Sequence, residues 1–403
     1  MKINACLKEI SLSPIARISQ EARKKALKYE EKTGEPFIFF QRGELDTSPF
    51  PEITETTVSS VRQAENTKYP VSGGSLDVKE ALVKKLKISN NIEVSEKNVV
   101  VTCGGQDAIN LVFELFRNQK AASFSPIWSA IVNNLAPYSN IEFKEVLLNE
   151  DGSINFDELK KTLKEVNLFY LNSPSNPTGR VFSREELLRI GELCKENEVA
   201  IISDEAYERI VYDGKHVSIA SLPELKDYEN IFTAFTFSKT FSMTGFRFGY
   251  LVTKNREVAN LLENLQDTRT AGVPTFIQKT ALTAYSCKPE IEDKINKRVE
   301  ELKMRRDIMY EGLRKVKGLN FAKPEGAFYF FVNFKNFIPS NLKEKERSDY
   351  LFNLLLENGI CVMPGNYFTK TNNFNDCVRL SFSATSQEEI KIAVERMQKL
   401  FNR

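Results

Sequence analysis

The chain has 403 residues, 41% hydrophobic and 27% charged, which is length enough for two domains with sizeable cores. Its 56 Lys and Arg against 54 Asp and Glu leave a formal charge of +2, so no basic field draws it to nucleic acid or an anionic membrane. The single histidine, His216, excludes a His-rich metal site, and acid–base work falls to Lys, Tyr, Asp or Glu.

Charge interrupts the first ten residues, so they lack the apolar core of a signal peptide, and no apolar run is long enough to span a bilayer. Residues 17–32 predict a charged, Ala-rich helix broken at Gly34 and Pro36, and residues 37–40 a short strand. Residues 44–56, with Pro49 and Pro51, read as a loop, and 76–87 as a helix. A β-branched run at 99–103 precedes Gly104-Gly105 and a helix over 107–116. Residues 168–171 form an apolar strand ending in a Pro-rich loop. Ser183 with Glu186 makes a capping box, and Leu187, Ile190 and Cys194 give the helix behind it a buried face. Strands follow at 199–202, ending at Asp204, and at 231–237, ending at Ser238-Lys239. A long charged helix opens at Pro289, and 326–334 is an aromatic strand. A helix at 347–358, strands at 360–363 and 377–382, and a helix at 387–402 complete the chain. The six cysteines (Cys6, Cys103, Cys194, Cys287, Cys361, Cys377) form no C-x-x-C and suit a reducing, cytoplasmic setting.

Strands alternating with helices predict an α/β fold with a mostly parallel sheet, and continuous apolar strands predict helices on both of its faces. The expected division is an amino-terminal arm and part of a small domain at 1–45, a large domain at 46–290 and a smaller α+β domain at 291–403. Polar residues collect where strands end: Gly104, Gly105 and Gln106; Asn176; Asp204 with Tyr207; and Lys239. In open α/β sheets that edge holds the ligand. Gly104-Gly105 ahead of a helix suits a phosphate, although it also suits an ordinary tight turn. Asp204 is a carboxylate needing a cation, or a cap. Lys239 is an amine nucleophile, or a lysine snorkelling to the surface.

Three stretches carry a resemblance: Asn172-Ser173-Pro174-Ser175-Asn176-Pro177-Thr178-Gly179; Ser203-Asp204-Glu205-Ala206-Tyr207; and Thr236-Phe237-Ser238-Lys239 running on to Arg247 and Gly249. Gly43-Glu44, Tyr69 with Gly74, Pro126-Ile127-Trp128, 324–328 and Arg379-Leu380-Ser381-Phe382 add weaker matches. From about Ser13 to its end, the chain resembles the class I/II aminotransferases, pyridoxal-phosphate (PLP) enzymes of the aspartate aminotransferase fold, fold type I.

The resemblance implies roles. Lys239 would bond to PLP and then shuttle the Cα proton. Asp204 would pair with the pyridine nitrogen, and Tyr207 and Asn176 with the ring oxygen. Trp128 would stack on the ring. Gly104, Gly105, Gln106, Thr236, Ser238 and Arg247 would hold the phosphate, joined by Tyr69 from the partner of a homodimer. Arg379 would grip the substrate carboxylate, with Asn176 and Gly43 beside it. Residues near 268–275 would border the partner's pocket, and the arm would cross the interface.

Four positions depart from the pattern. Thr236 replaces a serine or glycine, Leu45 a proline, Phe248 a smaller aliphatic residue, and Gln106 a lysine that some members use to read a distal carboxylate. Arg269 could supply that cation, or be a solvated helix-end arginine. His216, in a polar loop, is assigned no chemistry. The expected activity is transfer of an amino group from aspartate or an aromatic amino acid to a 2-oxo acid such as 2-oxoglutarate. A PLP β-lyase of the same fold and a non-catalytic regulator are the alternatives. A nicotinamide enzyme would want G-x-G-x-x-G after its first strand, which residues 103–107 do not provide.

Overall fold

The computed structural model describes residues 10, 12–149, 152–371 and 373–402. Cys6 and the first nine residues of the expected arm lie outside the described residues.

Twelve strands are present among the described residues: β1 Ile38–Phe39, β2 Val99–Thr102, β3 Lys120–Ser125, β4 Glu142–Leu147, β5 Leu168–Asn172, β6 Ala200–Asp204, β7 Ile231–Thr236, β8 Gly249–Thr253, β9 Tyr329–Asn333, β10 Ile360–Cys361, β11 Met363–Pro364 and β12 Cys377–Ser381. Seven build one sheet in the order β2-β8-β7-β6-β5-β3-β4. Neighbours from β7 to β4 are parallel, whereas β8 runs antiparallel to both β7 and β2. β2 therefore points the same way as β5, β6 and β7, and their carboxyl ends share one edge.

The continuous apolar strands do have both faces covered. Leu168, Tyr170 and Ile202 enter one core with Ile109 and Val112 of the helix Gly105–Leu115. Phe169, Leu171 and Ile201 enter the opposite core with Leu187, Ile190 and Cys194 of the helix Arg184–Glu196. This alternation is the period-2 pleat, with helices on each side excluding water. The capping box of Ser183 and Glu186 is present as expected.

A further core joins both ends of the chain. Ile18, Ala22 and Ala26 of the helix Pro14–Thr33 pack with β9, β12 and the helices Glu344–Glu357 and Gln387–Phe401. β1 pairs in parallel with β10, and β12 lies between β11 and β9. The helix Pro289–Leu313 links two cores: Ile291 and Ile295 pack beside the large sheet, and Met309 and Leu313 beside the small one.

Two expectations fail. The single strand expected at 360–363 is split into β10, paired with β1, and β11, paired with β12. The predicted loop at 44–56 contains the start of a helix, Pro51–Val61, with Pro51 in its first turn. Proline fits there because the missing N–H would have had no intrahelical partner. Among the described residues, no helix is long and apolar enough to cross a membrane.

Candidate active site

The shared strand edge opens into a cavity of about 430 Å³, lined from both sheets. Gly105, Gln106, Trp128, Asn176, Asp204, Tyr207, Thr236, Ser238, Lys239, Arg247, Gly43 and Arg379 all border it. Gly104 sits just behind Gly105. Of the expected site residues, Gly104 and Tyr69 do not line it, and Tyr69 is 92% exposed on the surface.

Asp204 ends β6 and is 5% exposed. Burial pushes its carboxyl up to about 6, while a hydrogen bond from Tyr170 and the charge of Lys239 pull the other way. Tyr170 Oη donates to Asp204 Oδ2 at 2.7 Å, and the Ala206 amide donates to Oδ1 at 3.2 Å. Both carboxylate oxygens are thereby held in place at the cavity wall. Sequence reasoning missed Tyr170. Its signal was a polar tip on a strand residue two before Asn172, on the face that also carries Ile202.

Lys239 is half-buried after β7, and its Nζ donates to the Gly43 carbonyl at 2.6 Å. Burial, with the charge of Arg379 beside it, brings its ammonium down to about 8. That fraction of neutral amine near neutral pH suits a nucleophile or proton carrier.

Arg379 comes from the middle strand of the three-stranded sheet and is 3% exposed. Its Nη1 donates to Asn176 Oδ1 at 3.0 Å and its Nη2 to the Gln41 carbonyl at 2.8 Å. The Tyr329 ring lies 4.4 Å from the guanidinium carbon. Nε is buried without a partner, and no described carboxylate is paired with this arginine. A buried planar cation that is positioned but not neutralised is a ready binder for a carboxylate. Tyr329, also missed from sequence, bonds Tyr207 through the two hydroxyls at 2.8 Å.

At the other end, Gly104 (φ 90°) turns β2 into the amino terminus of the helix Gly105–Leu115. The positive φ favours glycine at this turn, and a Cβ there would come 2.8 Å from Arg247 Nη2 and push that guanidinium aside. The Arg247 guanidinium donates to the carbonyls of Thr244 and Cys103 and has no described acid partner. Thr236 Oγ1 donates to Ser238 Oγ at 3.0 Å. Helix amides, two hydroxyls and an unneutralised arginine form a donor set for a phosphate. A donor set for phosphate at one end, a lysine amine, a buried carboxylate and Trp128 in the cavity lining fit a phosphorylated heteroaromatic aldehyde. The residues present match that group.

The aspartate aminotransferase from Thermus thermophilus, solved with maleate, superposes with a TM-score of 0.88 at 25% identity, over 99% of this chain and 100% of its own. A model of the family "Aminotransferase class I and II" matches residues 35–397. The chain belongs to the class I and II aminotransferases. A probable aspartate/prephenate aminotransferase of Aquifex aeolicus is 32% identical over 394 residues, 96% of each chain. An aspartate aminotransferase of Sulfurisphaera tokodaii is 32% identical over 94% of this chain and 93% of its own. An aromatic aminotransferase from Pyrococcus horikoshii superposes with a TM-score of 0.82 at 28% identity, over 94% of this chain and 98% of its own.

Two minor expectations for this aminotransferase are resolved by the geometry. Arg269 pairs with Asp107 at 3.1 Å, which removes it as a free cation. His216 is not merely a polar-loop residue: its side chain is buried, and Nε2 lies 2.8 Å from Glu205 Oε2. Glu205, itself buried, also accepts from Ser203 and Ser218. The loop around His216 looks polar because its neighbours Asp213, Gly214 and Lys215 are exposed.

Proposed function

We propose that this transaminase uses PLP and moves the amino group of a dicarboxylic amino acid such as aspartate to a 2-oxo acid such as 2-oxoglutarate. The observation that carries this reading is Arg379, a buried guanidinium with no acid partner among the described residues, in one cavity with Lys239 and Asp204. Relatives named for aspartate, and a neighbour solved with the dicarboxylate maleate, support the donor class.

In this reading Lys239 carries PLP and later moves the proton at the substrate Cα. PLP supplies the electron sink for the carbanion left when that proton departs. Asp204, held by Tyr170, keeps a positive charge on the pyridine nitrogen. Gly104, Gly105, Gln106, Thr236, Ser238 and Arg247 hold the phosphate. Trp128 would cover the ring, and Tyr207 and the Asn176 amide would donate to its oxygen. Arg379 and Asn176 fix the substrate carboxylate, and with it the Cα–H bond, so orientation becomes rate.

The same reading assigns 46–290 to the cofactor unit and 1–45 with 291–403 to the clamp unit. It makes the protein a homodimer, with Tyr69 completing the partner's phosphate site. The exposure of Tyr69, and of Val58, Val61, Val71 and Leu76 near it in sequence, supports a covered surface there.

The test is to incubate the protein with aspartate plus 2-oxoglutarate, and separately with cystathionine, and assay glutamate and pyruvate. Glutamate from the first mixture supports transamination. Pyruvate from the second without glutamate from the first favours the β-lyase alternative.

A further inference from the structure

We propose that Arg42 reads a second anionic group at the far end of the substrate, so that the cavity selects dicarboxylic over monocarboxylic acids. The proposal rests on the reading of Arg379 as the clamp for the first carboxylate.

Cations along the cavity wall can be sorted by their partners. Lys239, Arg247 and Arg379 face the amine, phosphate and first-carboxylate positions, and Arg269 is spent on Asp107. Arg42 and Arg23 also line the cavity, and neither is paired with an acid among the described residues. Arg23 is exposed on the amino-terminal helix, whereas Arg42 is half-buried. The Arg42 guanidinium carbon lies 5.2 Å from the centroid of the Phe39 ring, which supports the side chain without neutralising it.

Position sharpens the choice. The carbonyl before Arg42, on Gln41, accepts from Arg379, and the carbonyl after it, on Gly43, accepts from Lys239. The Arg42 backbone is therefore pinned between the clamp and the reacting amine, and its side chain borders the space those two groups share. Of the nearby acids, Asp204 accepts from Tyr170, and Glu21 on the neighbouring helix, whose charge reaches Cys361 as that of Arg42 does, forms no ion pair with Arg42. Glu44 is turned toward Thr244 Oγ1, at 3.5 Å, and the first turn of the neighbouring helix Pro14–Thr33 carries no acid. A partly desolvated guanidinium without an anion gains most from a ligand that brings one.

Trp128, the only tryptophan, lines the same cavity and reports occupancy by its fluorescence. Succinate and butyrate, which differ by one carboxylate, are titrated into the holoprotein. The expected result is that succinate binds more tightly by about tenfold, the size of one charge-assisted pair. Arg42→Ala should remove that ratio and leave butyrate unchanged, and Arg42→Lys should retain part of it. A ratio absent from the wild type, intact in Arg42→Ala, or abolished by Arg23→Ala instead overturns the proposal. Butyrate binding that survives in Arg379→Ala overturns the clamp reading and this proposal with it. Loss of butyrate binding in that variant, with the ratio intact in Arg42→Ala, overturns this proposal alone.

Discussion

The ε-amine of Lys239 donates to the carbonyl of Gly43, 2.6 Å away, and so ties the turn after β7 to the segment that follows β1. Gly43 is itself confined, since a Cβ there would sit 2.7 Å from the Tyr329 hydroxyl. The Lys239 amine is thus anchored on the seven-stranded sheet and aimed by a segment that follows the two-stranded one.

The first prediction concerns this amine. Its ammonium titrates near 8, so the neutral fraction should rise through that pH. Protein stripped of cofactor, mixed with PLP and reduced with borohydride, should be labelled at Lys239 with a rate midpoint near pH 8. Mass spectrometry of the labelled peptide checks this. Lys239→Ala should give no label, and label at another lysine would refute the assignment.

Asp204 offers a stability measurement. Its carboxyl titrates near 6 in the fold against 3.8 as a free side chain, so the folded state holds the proton more tightly. Stability falls as pH rises between these values and stays lower above 6. Asp204→Asn should therefore stabilise the cofactor-free protein at pH 8 by about 3 kcal/mol, at roughly 1.4 kcal/mol per pKa unit. The gap should close toward pH 4. Thermal melts across pH decide it, and a destabilised Asn variant would show that Asp204 mainly holds the strand end together.

Arg379→Lys keeps the charge but loses the planar fork that Asn176 and Gln41 orient. The half-reaction with aspartate should slow by about a hundredfold, with weaker substrate binding as part of the loss. Stopped-flow amplitudes at increasing donor concentration separate the two. An unchanged rate would remove Arg379 from the site.

Gly249→Ala tests the phosphate turn. Its Cβ would lie 2.6 Å from the Gly104 carbonyl carbon and 2.7 Å from the Gly105 nitrogen, both backbone atoms that no rotamer can move. The expected loss is about 1–3 kcal/mol, as for overpacking generally, with weaker PLP affinity. Gly245→Ala, whose Cβ would meet nothing within 4 Å, is the control and should change neither.

Much of this site could be read before any coordinates. Asp204 and Lys239 each come just past an apolar strand, and Gly104 follows a β-branched one; a charged group in such a place has few explanations. Arg379 is flanked by Val378 and Leu380, which marked its strand as internal. What escaped depends on contacts between distant segments. Nothing local tells that Tyr170 points at Asp204, that Tyr329 reaches Tyr207, or that His216 turns inward to Glu205. Pro51 misled because proline serves loops and helix starts equally well. Arg42 escaped because its meaning comes from what its neighbours' carbonyls touch.

The parallel pairing of β1 with β10, Ile38 opposite Ile360, has a consequence for biosynthesis. Strands β2 to β8 can assemble among themselves as they leave the ribosome. The apolar stripe of the helix Pro14–Thr33 shares a core with segments from 207 to 401, and the helix Glu344–Glu357 that touches it is made late. Until those partners leave the ribosome the stripe lacks its full cover, and the hazard of aggregation grows with every pause along the message.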